Sequence, residues 1–164
     1  AHLKPSVDSK IIDIACGRGR HSIYLNKKGY DVTGIDLSEQ NIKYAQQFEQ
    51  KNLHFYVHDM RKLSYINYFD IALNLFTSFG YFEDPHEDLQ VFEAIRSSLK
   101  PGGLFVFDYL HTAFVSETHV PSEEKQVEDV LFSISRHITE DWIIKQISFE
   151  MYRPAFFVYV HTNK

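Results

Sequence analysis

The sequence predicts an α/β fold: a doubly wound, mostly parallel sheet with an antiparallel β excursion after the fifth strand. Three observations point there. Near-continuous apolar runs with an Asp or Asn at or near their ends recur at residues 10–16, 31–36, 53–57 and 69–76. Such runs fit strands buried on both faces, as in a parallel sheet. Stretches of helical spacing separate strand one from two, two from three and four from five, which implies parallel crossovers. From about residue 122 the pattern changes to strand-like alternation with no helix between segments.

In chain order, strand one spans residues 10–16 and runs into Gly17-Arg-Gly19-Arg-His-Ser22, a glycine turn leading to a helix from His21 to Lys28. Ile23 and Leu25 are its inward residues, and Gly29 ends it as a left-handed cap. Strand two is Asp31–Asp36. Ser38 caps the next helix with Glu39 in its first turn, and Ile42, Ala45 and Phe48 share one helical face. Strand three is Leu53–Val57 and leads to His58-Asp59-Met60. Strand four, Phe69–Phe76, precedes an aromatic turn over residues 77–82. Asp84 as cap and Pro85 at the first helical position start a third helix, with Leu89, Phe92, Ile95 and Leu99 inward. Lys100-Pro-Gly-Gly103 stops it, and Leu104–Tyr109 is strand five. Ser122-Glu-Glu124 reads as solvated loop. Val127–His137 and Trp142–Tyr152 read as two strands around a turn at Thr139-Glu-Asp141, with Ala155–His161 as a third. The expected division is a sheet domain over 1–121 and a β excursion over 122–164, serving as a substrate lid or an association element.

A chain of 164 residues can bury one substantial core. Its 44% apolar and 24% charged content belongs to a globular chain and excludes a disordered or collagen-like one. A net charge of −5 disfavours nucleic acid as partner. No apolar run approaches the roughly 20 residues that span a bilayer, so no membrane partner is expected. No secretory signal is visible, and a single Cys rules out an internal disulfide framework, so a cytoplasmic protein is expected. The nine His show no ligand spacing, and no metal is expected.

Open parallel sheets bind ligands at the carboxyl ends of their strands. Asp13, Asp36, Asp59 and Asn74 fall at or near four such ends and are expected to converge on one crevice beside Gly17 and Gly19. The turn lets a cofactor approach the backbone, and Asp36 can grip both hydroxyls of a ribose. A dinucleotide fingerprint wants a third glycine where this chain has Ser22, so the turn alone decides no cofactor. Asp59 discriminates better: a carboxylate there can accept from an adenine amino group while Met60 packs on the ring. Cys16 reads as a small packing residue beside the cofactor.

At Asp13-Ile-Ala-Cys-Gly17-Arg-Gly19, Gly34-Ile-Asp36-Leu-Ser38, His58-Asp59-Met60, Asn74-Leu-Phe-Thr-Ser-Phe-Gly80 and Leu99-Lys-Pro-Gly-Gly103 the chain resembles the class I S-adenosylmethionine-dependent methyltransferases, in their order and spacing, over roughly residues 9–110. The resemblance implies a Rossmann-like fold and S-adenosylmethionine as cofactor, with S-adenosylhomocysteine as product. It implies that Asp13, Ala15 and Gly17 lie along the methionine part, that Asp36 holds the ribose, that Leu37, Asp59 and Met60 frame the adenine, and that Asn74 and Leu75 border the sulfonium. Phe76, Phe79, Tyr81, Phe82 and Tyr109 are then expected around the methyl group, with His111 at the edge of the substrate pocket. His21 and His111 read as surface or satisfied histidines, and Tyr81 is the candidate base.

The expected function is methyl transfer to a small-molecule acceptor, chiefly by alignment. Alternatives are a non-catalytic cofactor-binding or assembly domain on the same fold and, less favoured, a nicotinamide-dependent oxidoreductase. The family's N-terminal helical segment and its last helix and two strands are not found in the sequence. The chain therefore reads as cut at both ends, with a homo-oligomer through an exposed sheet edge or the excursion as a possible partner state.

Overall fold

The computed structural model describes residues 5–76, 78–109, 117–139, 142–150 and 156–163, without side chains at 142, 143, 150 and 156–163. His111, and the parts of the expected turn and strands at residues 140–141 and 151–155, lie outside them. The chain forms two compact units, Ala1–Tyr109 and Leu110–Lys164. The first thus ends ahead of residue 121.

The first unit holds β1 (Lys10–Ile14), α1 (Arg20–Lys27), β2 (Asp31–Asp36), α2 (Glu39–Ala45), β3 (Leu53–Val57), β4 (Phe69–Asn74), α3 (Pro85–Ser98) and β5 (Leu99–Phe107). Its five strands are parallel in the order β3-β2-β1-β4-β5. The chain winds outward from β1 to β3 and then returns to the other side of β1 with β4. That reversal puts the topological switch point at the paired strands β1 and β4, where Ile14 faces Asn74 in register; ligands of such sheets bind beyond the strand ends near this point.

Alternation in the strands feeds two cores. Ile12, Ile14, Ile35, Phe69 and Ala72 pack with Val91 and Ile95 of α3 on one face. Ile11, Val32, Leu53, Phe55 and Ile71 pack with Ile42 and Ala45 of α2 on the other. The outer strand β3 is shielded by side chains of the preceding segment. The Phe55 amide donates to Glu49 Oε1 at 2.7 Å and the Phe55 carbonyl accepts from Gln46 Nε2 at 3.1 Å.

Several expectations are corrected here. Phe48 is 42% exposed, because the helix tightens after Ala45 into a 3₁₀ turn, Gln46–Phe48, and the residue leaves the buried face. The face of α3 on the sheet is Val91, Ile95 and Ser98, whereas Leu89 and Phe92 are exposed and Leu99 already belongs to β5. Phe92 instead joins a ring cluster with Phe79, Phe105 and Phe107. Lys100–Gly103 is not a simple helix stop. Leu99 pairs with Phe69 and Leu104 with Ile71, so the four residues bulge out of β5, and Lys100 Nζ reaches Asp70 Oδ1 at 2.8 Å. β4 ends at Asn74, two residues short of Phe76.

The second unit is an antiparallel meander, β6 (Ser122–Val127), β7 (Val130–Ile138), β8 (Trp142–Glu150) and β9 (Phe156–Asn163), paired in that order. The expected loop at Ser122-Glu-Glu124 is the start of a strand. Val127 pairs with Val130 across a tight turn in which Glu128 takes a φ of 52°.

Candidate functional site

Parallel register brings the carboxyl ends of β1, β2, β3 and β4 to one edge of the sheet. After Ile14 the chain turns sharply: Ala15, Gly17 and Gly19 all have left-handed φ, at 58°, 56° and 77°. The Cys16 amide still donates to Ile35 O at 2.8 Å, extending the β1–β2 pairing by one step. The Gly17 amide then donates to Asp36 Oδ2 at 2.8 Å, and the Ser38 amide to Asp36 Oδ1 at 2.9 Å. Asp36 thus ties the turn after β1 to the turn after β2, and each of its oxygens keeps an acceptor site.

Beside it lies a small pocket of about 60 Å³ lined by Ala15, Asp36, Leu37, His58, Asp59, Met60 and Phe82. Five of these were expected at the cofactor. His58 was missed; its amide donates to Asp36 O at 3.0 Å, so the β2–β3 pairing carries it to the rim. Phe82, expected at the methyl group, lines this pocket instead.

Asp59 caps the 3₁₀ turn Met60–Lys62, accepting from the Arg61 amide at 2.9 Å. Arg61 folds back onto the same carboxylate, with Nε 3.0 Å from both oxygens and Nη2 2.5 Å from Oδ2. That side-chain hydrogen bonding holds the Asp59 carboxyl below the ordinary range. Arg61 also pairs with Glu87 in the first turn of α3 and lies 4.7 Å over the Phe82 ring. Sequence reading missed Arg61; an Arg two residues after a capping Asp was the available signal.

Asn74 is fully buried at the end of β4. Its Nδ2 donates to Ile14 O and Ser78 O, both at 3.4 Å, while its Oδ1 is buried with no partner among the described residues. A native protein rarely leaves such an acceptor empty, so this atom marks a place for a donor.

Other expected residues lie elsewhere. Asp13 does not line the pocket. It is buried and accepts from Ser22 Oγ at 2.5 Å, and burial pushes its carboxyl upward. Cys16 packs beside Gly34 against the α2-side core, and burial raises its thiol. The Cβ position at Gly19 is taken by Phe55, 2.6 Å away, so its missing side chain serves packing. Gly17 has open space there.

The aromatic turn divides. Phe76, with φ 60°, donates its amide to Asp108 Oδ2 at 3.1 Å and stacks on His21 at 5.1 Å. Leu75 O accepts from Ser78 Oγ at 2.7 Å. Phe79 packs with Phe92 and Phe107, and Tyr109 stacks on Phe107 at 5.5 Å. Tyr81 is 62% exposed, and no described hydrogen bond or ring contact orients it as a base.

Residues 11–103 match the methyltransferase domain family. The chain belongs to that family. Among its relatives, this methyltransferase domain is 36% identical over 108 residues to the YqeM protein of Bacillus subtilis, which covers 64% of this chain and 43% of that protein. It is 30% identical over 101 residues to the dTDP-3-amino-3,4,6-trideoxy-alpha-D-glucopyranose N,N-dimethyltransferase of Streptomyces venezuelae, covering 61% of this chain and 42% of that protein. Matches to these relatives thus span less than half of their length. The fold is also that of CalS10, an amino pentose methyltransferase from Micromonospora echinaspora solved with S-adenosylmethionine bound. The TM-score is 0.75 at 18% identity, over 95% of this chain and 69% of that one. No helix among the described residues of this methyltransferase domain is long and apolar enough to cross a membrane.

Proposed function

We propose that the pocket at the ends of β1, β2 and β3 binds the nucleoside of S-adenosylmethionine, and that the domain serves methyl transfer to a small-molecule acceptor. The observation that carries this reading is that Asp36 and Asp59 line one pocket with Leu37, Met60 and Phe82 between and around them. The free acceptor sites of Asp36 suit two ribose hydroxyls. Asp59 suits an exocyclic amino group, and the apolar side chains suit the faces of a purine. Asn74 Oδ1, buried without a partner among the described residues, is an open acceptor at the end of β4, where the resemblance puts the sulfonium end of the cofactor.

The cofactor supplies a methyl group already activated on a sulfonium, with a neutral leaving group. What remains for the chain is to hold that group, align an acceptor in line and exclude water. Rigid attachment does this: Asp36 bonds two turns, and Asn74 bridges Ile14 and Ser78. A small acceptor is supported by the amino-sugar and amino-pentose substrates named for two relatives.

Calorimetric titration with S-adenosylhomocysteine tests the reading. Saturable heat with one site per chain is expected. No heat and no thermal shift at millimolar ligand would overturn it.

A further inference from the structure

Arg61 bridges two parts of the pocket lining. On one side its amide, Nε and Nη2 occupy the Asp59 carboxylate, two donors on Oδ1, and Nη2 with a share of Nε on Oδ2. On the other its guanidinium covers Phe82 at 4.7 Å, and Glu87 of α3 holds it from behind. Asp59 and Phe82 both line the pocket; Arg61 and Glu87 do not. A carboxylate has about four acceptor sites and the amide, Nε and Nη2 of Arg61 take three of them, so Asp59 is left with about one, on Oδ2.

We infer that Arg61 is a positioning residue for base recognition. It fixes the Asp59 carboxylate so that one acceptor meets the amino group of adenine, and it fixes the Phe82 ring as a second part of the pocket lining. The inference rests on the function proposed above. The chemistry of the pocket wall then selects a 6-amino purine over a 6-oxo purine. A pinned, acceptor-only carboxylate bonds an amino group and repels a carbonyl oxygen, and a site left with unpaired polar groups discriminates strongly. Freed from Arg61, Asp59 can turn away or take up a proton, and the discrimination relaxes. A surface ion pair with no such role contributes little and has no effect on which base is bound.

The test titrates the full chain with S-adenosylhomocysteine and with its 6-oxo analogue, S-inosylhomocysteine, in wild type, Arg61→Met, Arg61→Lys and Glu87→Gln. In wild type the adenine ligand binds more tightly. In R61M its Kd is expected to rise about tenfold or more, as for a lost charged hydrogen bond, and the ratio of the two Kd values to fall toward one. R61K, a point charge without the planar fork, is expected to fall between, and E87Q to give the smallest change. An unchanged Kd ratio in R61M overturns the inference, whether both ligands keep their affinity or weaken by one common factor. If R61M does not fold, the ratio in R61K decides in the same way. A wild-type chain that binds neither ligand removes the proposed function itself, whereas wild-type binding with an unmoved ratio in the variants removes only the role of Arg61.

Discussion

Asp36 accepts the Gly17 amide at 2.8 Å on one oxygen and the Ser38 amide at 2.9 Å on the other. The turns that follow β1 and β2 are therefore held by one side chain. Asp36→Ala removes an ionised acceptor from both amides. A loss of about 2 kcal/mol in urea unfolding is expected, together with loss of S-adenosylhomocysteine binding in calorimetry. A variant that unfolds like wild type and still binds would show that the carboxylate holds neither turn nor ligand.

Gly34 sits in β2 where a Cβ would lie 2.6 Å from the Phe55 ring and 2.9 Å from Cys16 Sγ. Gly34→Ala is expected to cost about 1–3 kcal/mol by overpacking. Phe55→Leu should be destabilising alone but should recover much of that cost in the double variant. Thermal melts of the cycle check this, and strict additivity would place the strain somewhere other than Phe55.

Burial raises the Asp13 carboxyl above its unfolded value. Stability from such a group is fully present below the unfolded pKa and is lost as pH rises through the folded one. Asp13→Asn stays neutral at every pH and keeps an oxygen for Ser22 Oγ. Relative to wild type it should gain stability between pH 4 and pH 8. Denaturation curves at the two pH values measure this, and a loss over that interval would mean that the ionised carboxylate is the better-solvated form.

The outer edge of β3 depends on Glu49, whose Oε1 takes the Phe55 amide at 2.7 Å. Glu49→Ala exposes that donor. It is expected to cost about 1 kcal/mol and to speed hydrogen exchange at Phe55 more than at Val32, inside the sheet. Equal protection at Phe55 in both proteins would show that the side chain is not what covers the edge.

Much of the site was legible because strand ends were legible. Long apolar runs placed Asp36 and Asp59 at sheet termini, and parallel register did the rest, bringing both to one pocket with Leu37 and Met60. What local pattern could not show were the directions taken after the strands. Phe76 adopts a left-handed backbone, so the rings of the aromatic turn scatter to α1, to the Phe92 cluster and to the pocket itself. Asp13 looked like one more polar strand tip, but strand alternation turns it toward Ser22 of α1. β6 escaped notice because Ser122–Gln126 is polar throughout and every residue of the strand, Val127 included, is exposed; its pairing with β7 leaves no apolar alternation. Leu89 and Phe92 have the right spacing for a buried face, but Val91, Ile95 and Ser98 hold that place, and helical periodicity alone could not choose between the two stripes.

Ala15 keeps a side chain at φ 58°, where glycine would rest without penalty. The cost is roughly 1 kcal/mol, and the methyl so retained forms part of the wall beside Asp36. A Gly at this position would relax the backbone, widen the cavity and loosen the corner on which two neighbouring hydrogen bonds depend. Local discomfort at a single peptide thus puts a side chain into the lining where glycine would put none.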